Sequence, residues 1–98
     1  MAEVRWTLQA ASDLEAIVEF IAQDSPHYAS LFAIRIIEAV ERLDPFPLSG
    51  RTVPECGDPL IREIIHGNYR IIYRVNGDVA ELLTIHHGAR QSDRSRVQ

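Results

Sequence analysis

Ninety-eight residues make one domain, near the lower limit at which a hydrophobic core sustains itself. An apolar content of 46% supports such a core, while a net charge of -4 speaks against a general nucleic-acid binder. All ten basic residues are arginine, which excludes lysine chemistry, and the single cysteine, Cys56, excludes an intrachain disulfide or a two-cysteine metal site.

Val4, Trp6 and Leu8 alternate with Arg5 and Thr7, the period of a short half-buried strand. Thr7 then caps a helix, its hydroxyl oxygen accepting an orphan N–H of the first turn. Ala10, Leu14, Ile17, Val18 and Ile21 form the apolar stripe of that helix, and Asp13, Glu15, Glu19 and Gln23 fall elsewhere. Phe20 stands off the stripe; it is expected to pack on a neighbouring helix, with a partner contact as the second reading. Ser25-Pro26 starts a second helix, because serine caps well and proline at the first helical position loses no hydrogen bond. Its stripe is Ala29, Phe32, Ala33, Ile36, Val40 and Leu43, ended by Pro45 and Pro47. Leu31 and Ile34 lie on the opposite face with Arg35, Glu38 and Glu41. They are candidate partner contacts, set beside the plainer reading of single exposed apolar residues.

Asp44 to Pro59 is punctuated by proline and glycine and reads as a structured connection, since neither flank is large enough to fold alone. From Leu60 the period becomes strand-like. Leu60 to Ile65, Tyr69 to Val75 and Val79 to His87 are three strands joined at His66-Gly67-Asn68 and Asn76-Gly77-Asp78. The element order is β-α-α-β-β-β: an α+β fold, with a helical hairpin packed on an antiparallel sheet. The first residues lack a basic-then-apolar leader pattern and no apolar run approaches about 20 residues, so a cytoplasmic protein with no membrane association is expected.

With those elements in place, four short motifs stand in order: Val53-Pro54-Glu55, Ile61-Arg62-Glu63, Tyr69-Arg70-Ile71-Ile72-Tyr73-Arg74-Val75 and Ile85-His86-His87-Gly88-Ala89-Arg90. Together they resemble the ParE/RelE superfamily of type II toxin–antitoxin toxins, over nearly the whole chain. The resemblance implies a toxin neutralised by a cognate, ParD-like antitoxin. ParE-type members trap DNA gyrase on broken DNA and block replication, whereas RelE-type members cleave mRNA in the ribosomal A site.

Metal-free RNA cleavage needs a base, an acid and cations on the phosphate. RelE-type enzymes use lysines and arginines, and many carry a tyrosine in the C-terminal tail. This chain has no lysine, and Gln91 to Gln98 holds no tyrosine. By position only Arg70 and Arg90 carry over as phosphate holders, with His87 as a conceivable base, and arginine rarely transfers protons. His66 across the sheet from His87 suggests a metal pair, yet no third ligand or ligand spacing accompanies it. Cys56 sits among Glu55 and Asp58, which disfavours a thiolate nucleophile.

Charge distribution agrees. Asp13, Glu15, Glu19, Asp24, Glu38, Glu41 and Asp44 make the helical hairpin acidic, while the sheet and tail are mildly basic. The expectation is therefore a ParE-like gyrase poison without a catalytic residue, cofactor or metal, and without sequence-specific DNA binding of its own. Leu31, Ile34, Arg62, Arg70, Arg74 and Arg90 are the candidates for antitoxin or target contact. Arg70 and Arg74 also have the plainer reading of a solvated strand face or an ion pair with Glu63 or Glu81. The alternatives are a ribosome-dependent endoribonuclease using Arg70, Arg90 and His87, or a degenerate toxin retained for antitoxin binding and operon control.

Overall fold

One hydroxyl sets the point where strand becomes helix. In the computed structural model, which describes residues 2–88, Thr7 lies between β1 (Glu3–Trp6) and α1 (Leu8–Ala22). Its Oγ1 accepts from the Ala10 N–H at 3.1 Å and donates to the Leu82 carbonyl at 2.6 Å, so it caps the helix and ties that cap to the sheet. Leu8, expected to continue the strand alternation, is instead the first helical residue and is 91% exposed. The cap turned the chain one residue before the apolar pattern ran out.

α2 (Pro26–Glu41) begins as expected, with Ser25 Oγ accepting the Tyr28 N–H at 3.1 Å and Pro26 at the first helical position. Ala29, Phe32, Ile36 and Val40 are buried along it, and Leu43 is buried just beyond its end, while Ala33 stays half-buried. Within the connection, Arg51–Thr52 forms a two-residue strand, β2, which has no apolar alternation to announce it. β3 (Ile61–His66), β4 (Tyr69–Asn76) and β5 (Val79–His87) follow as the expected meander.

The sheet order is β1-β5-β4-β3-β2. The helical hairpin and α+β class stand, but the sheet is mixed: β1 runs parallel to β5, from Glu3 opposite Val79 to Trp6 opposite Leu82. No tight turn joins these two strands, so nothing local dictates their relative sense. Asn76 pairs with Val79, which leaves a two-residue loop of Gly77 and Asp78; Gly77 takes φ +59°, a conformation that favours glycine. Between Ile72/Thr84 and Tyr73/Leu82 the register slips by one residue, a bulge on β5 at Leu83. The slip lets both Leu82 and Ile85 reach the core.

Ile71, Tyr73, Val75, Ala80, Leu82 and Ile85 meet Phe32, Ile36, Val40 and Leu43 in that core. Each of the large side chains, once fully buried, contributes about 1.5–3 kcal/mol. Asp13 adds a polar tie, its Oδ2 accepting from Thr84 Oγ1 at 2.6 Å and from the Ile85 N–H at 3.0 Å. Among the described residues no helix is long and apolar enough to cross a membrane.

Candidate functional site

Alternation along β4 sends Ile71 and Tyr73 toward the helices and therefore turns Arg70 to the opposite face. There Arg70 is buried, only 8% exposed, beneath the connection. Its Nε donates to Glu63 Oε1 at 2.6 Å, and Nη2 also pairs with that carboxylate. Nη1 and Nη2 donate to the two oxygens of Glu55 at 2.9 and 3.2 Å, a bidentate clamp. Glu63 is 1% exposed, and its second oxygen receives Arg51 Nε at 2.5 Å. Two guanidiniums and two carboxylates thus balance one another. Burial works against the charge on Arg70, but the hydrogen bonds and charges of Glu55 and Glu63 outweigh it and hold the guanidinium above its ordinary value.

The expected ion pair between Arg70 and Glu63 is present, but the solvated strand face is not. Glu55 and Arg51, the other members of the set, carry no sequence signal that marks them as charge partners. They come from a connection whose path the sequence pattern does not specify. Arg62 is also committed elsewhere: Nε donates to the Pro59 carbonyl at 3.0 Å, and Nη1 to the Leu48 and Gly50 carbonyls at 3.2 and 3.1 Å. It latches the connection to the sheet. Arg74 is exposed and lies opposite Glu81 in register. On α2, Leu31 is half-buried and Ile34 is 53% exposed. Arg90 lies outside the described residues.

His66, Tyr69 and His87 line up across β3, β4 and β5. The Tyr69 ring stands edge-on to Phe32 at 5.1 Å and to His87 at 5.3 Å, and Phe32 meets His66 at 6.0 Å. Tyr69 therefore separates the two imidazoles, which do not form a pair. Phe20, expected to pack on the neighbouring helix, is 65% exposed and borders a hollow with Asp13, Tyr69, His86 and His87. Along the outer side of the helical hairpin runs an open groove of about 470 Å³. Trp6, Leu14, Val18, Ala33 and Ile37 line it, and Glu15 and Glu19 put negative charge at its rim.

Residues 4–92 match the family described as the ParE toxin of type II toxin-antitoxin system, parDE. The chain belongs to this family. A putative toxin, Y4kP, of Sinorhizobium fredii is 36% identical over 90 residues, covering 90% of each chain. Toxin RelE2 of Caulobacter vibrioides is 35% identical over 91 residues, 92% of this chain and 99% of the relative. Among solved structures, the chromosomal ParDE system of P. aeruginosa superposes with a TM-score of 0.74 at 27% identity, covering 89% of this chain and 96% of that one. The RelBE2 complex of Mycobacterium tuberculosis has the same fold, with a TM-score of 0.58 at 21% identity over 88% and 90% of the two chains. This ParE-family chain is thus a toxin of the type II class, and the names of its relatives span both the ParE and RelE branches.

Proposed function

We propose that this toxin acts by binding a protein, with DNA gyrase as the target, and that it cleaves no RNA. One observation carries the reading: the only strand arginine that corresponds to a nuclease phosphate holder, Arg70, is enclosed by Glu63 and Glu55. A phosphate reaching it would have to displace Glu55 and part the guanidinium from the buried Glu63, and removing one partner of a buried ion pair carries a penalty of several kcal/mol. The ParE family match and the P. aeruginosa ParDE likeness support the gyrase side of the choice. Poisoning then follows from tighter binding to the cleaved enzyme–DNA state than to the resealed one, which shifts the population toward breaks.

Induction of the toxin in cells without an antitoxin tests this directly. Gyrase cleavage complexes should accumulate, while mapping of mRNA 5′ ends should reveal no new cuts in translated messages. Cuts in mRNA with no change in gyrase complexes would assign the chain to the nuclease branch, and normal growth would assign it to the degenerate class.

The neutralising partner is a ParD-like antitoxin, and the groove on the helical hairpin suits an amphipathic segment with basic flanks. Ile34 and Ile37 are exposed at i, i+3 on one side of α2, continuing that apolar surface. Ile34→Glu is expected to weaken the antitoxin complex about tenfold or more, since a buried charge at an interface is left unpaired. Isothermal titration with the purified pair measures it; unchanged affinity would place Ile34 outside the interface. Leu31→Glu should have a comparable effect on affinity with an added loss of stability, because Leu31 is half-buried.

A further inference from the structure

α1 serves two different hollows. Ala11, Leu14, Glu15, Val18 and Glu19 border the groove of the helical hairpin. Asp13, Ala16, Ile17 and Phe20 border the other, of about 450 Å³, which opens over the C-terminal end of β5. At about 100° per residue the two sets point to opposite sides of the helix. A segment filling the groove therefore leaves the second hollow open.

Four π-systems surround that hollow, those of Phe20, Tyr69, His86 and His87, above a floor of Ile17 and Ile85. The Tyr69 ring is wedged edge-on between Phe32 and His87, at 5.1 and 5.3 Å, while Phe20 stands exposed at the rim. No arginine is among the lining residues, and their one carboxylate is Asp13. Its Oδ1 accepts from Gln9 Nε2 at 2.7 Å, and its Oδ2 accepts from Thr84 Oγ1 and the Ile85 N–H. All three donors are neutral. Among the described residues no ion pair reaches Asp13, so its half-buried negative charge is uncompensated. Three bonds also leave one of the roughly four acceptor sites of a carboxylate unused.

The face of an aromatic ring is negative, and a guanidinium stacked on it beside a carboxylate is attracted by both. An anion entering here would meet Asp13 with no cation to offset the repulsion. A purely apolar side chain would bury that charge without answering it. A planar guanidinium satisfies the rings and the charge together, and it sheds water more readily than an ammonium.

We propose that this hollow receives an arginine side chain of the toxin's target protein, stacked on Phe20 and facing Asp13. The inference rests on the reading that the toxin acts by binding a protein. It gives that binding a place of its own, across α1 from the groove suited to the antitoxin.

Two measurements on the full chain test the site. Titration of the isotope-labelled toxin with a blocked glycine–arginine–glycine peptide should shift the rings of Phe20, Tyr69 and His87 to saturation. The citrulline peptide has the same shape without the charge and should bind about tenfold more weakly or worse. Phe20→Leu keeps apolar bulk but removes the π face, and should erase the preference for arginine; Phe20→Trp should retain it. Because Phe20 is exposed, both variants should unfold with the wild type. In cells without antitoxin, Phe20→Leu should lower toxicity about tenfold or more, with affinity for the antitoxin unchanged. The site is overturned if the arginine peptide gives no saturable shift, if citrulline binds equally well, or if Phe20→Leu is fully toxic. Loss of antitoxin affinity in Phe20→Leu would give the hollow to the antitoxin and overturns it too. A wild-type chain that is harmless, or that cuts mRNA, has no protein target to grip and overturns it with the reading beneath it. Toxicity that depends on Phe20 without gyrase complexes or mRNA cuts would instead sink the choice of gyrase and leave the hollow standing.

Discussion

Arg70→Ala is expected to destabilise the fold by about 3–5 kcal/mol, the range found when one member of a buried ion pair is removed and its partner stays charged. Glu63 is left enclosed with only Arg51 to answer it, and Glu55 loses both of its bonds to Arg70. For a domain of this size that corresponds to a fall in Tm of more than about 10 °C. Arg51→Ala makes the contrast: it touches the same carboxylate, but its side chain is 63% exposed. Its loss should cost about 1 kcal/mol or less, as for an exposed pair. Arg70→Lys falls between them, since a lysine keeps the charge and loses the fork that reaches Glu63 and Glu55 together. Urea unfolding of the three variants gives the ranking. If Arg70→Ala unfolds with the wild type, the ion cluster is not what holds the connection on the sheet.

The same variants bear on function. A nuclease that used Arg70 would lose RNA cleavage in Arg70→Lys out of proportion to its stability, because the guanidinium would be a ligand of the phosphate. A binder loses activity only to the extent that the fold or the connection shifts. Measuring toxicity at a temperature where Arg70→Lys remains folded separates the two.

The parts of this structure that were legible in the sequence are those fixed by local chemistry. Thr7 and Ser25 cap their helices where the hydroxyl-then-helix pattern places them. The stripes of the helices and the alternation around Ile71, Tyr73 and Val75 mark the core. What could not be read depends on contacts between distant segments. Glu55 is an ordinary acidic residue in a loop until the fold carries it over Arg70, 15 positions along the chain. Asp13 looks like one more charge on a solvated helix face, yet it binds the bulge of β5 across 71 positions. Direction of β1 was hidden for the same reason, because a strand paired through the tertiary fold carries no turn to declare its sense. Arg70 shows the consequence for function. Its type and strand position resemble a phosphate holder, and only the placement of two glutamates reveals that its charge is already spent.

Gly50→Ala is expected to be the second large loss, and it acts through Tyr73. Tyr73 is fully buried, and its hydroxyl accepts the Gly50 N–H at 2.9 Å while donating to the Pro47 carbonyl at 2.8 Å. The connection is thereby fastened to β4 by one oxygen. A Cβ at position 50 would stand 2.6 Å from that oxygen and 2.7 Å from the backbone carbonyl of Glu63. The carbonyl belongs to β3 and cannot turn aside, so either the clasp or the strand must move. Overpacking of this kind costs about 1–3 kcal/mol, and breaking the clasp adds the desolvation of two unpaired backbone groups, about 1–3 kcal/mol each. Tyr73→Phe isolates the second contribution, since it removes the oxygen without adding volume. Alkaline titration distinguishes the two variants further. Burial raises the pKa of the Tyr73 phenol, against the opposing pull of the Gly50 N–H and the Arg62 charge. A raised folded value means that stability linked to this proton is intact below about pH 10, the ordinary tyrosine value, and is lost as pH climbs through the folded one. Wild-type protein should therefore lose stability steeply in strong base, and Tyr73→Phe should show a shallower decline from its lower starting point. Equal slopes for the two would mean that ionisation of Tyr73 is not coupled to unfolding.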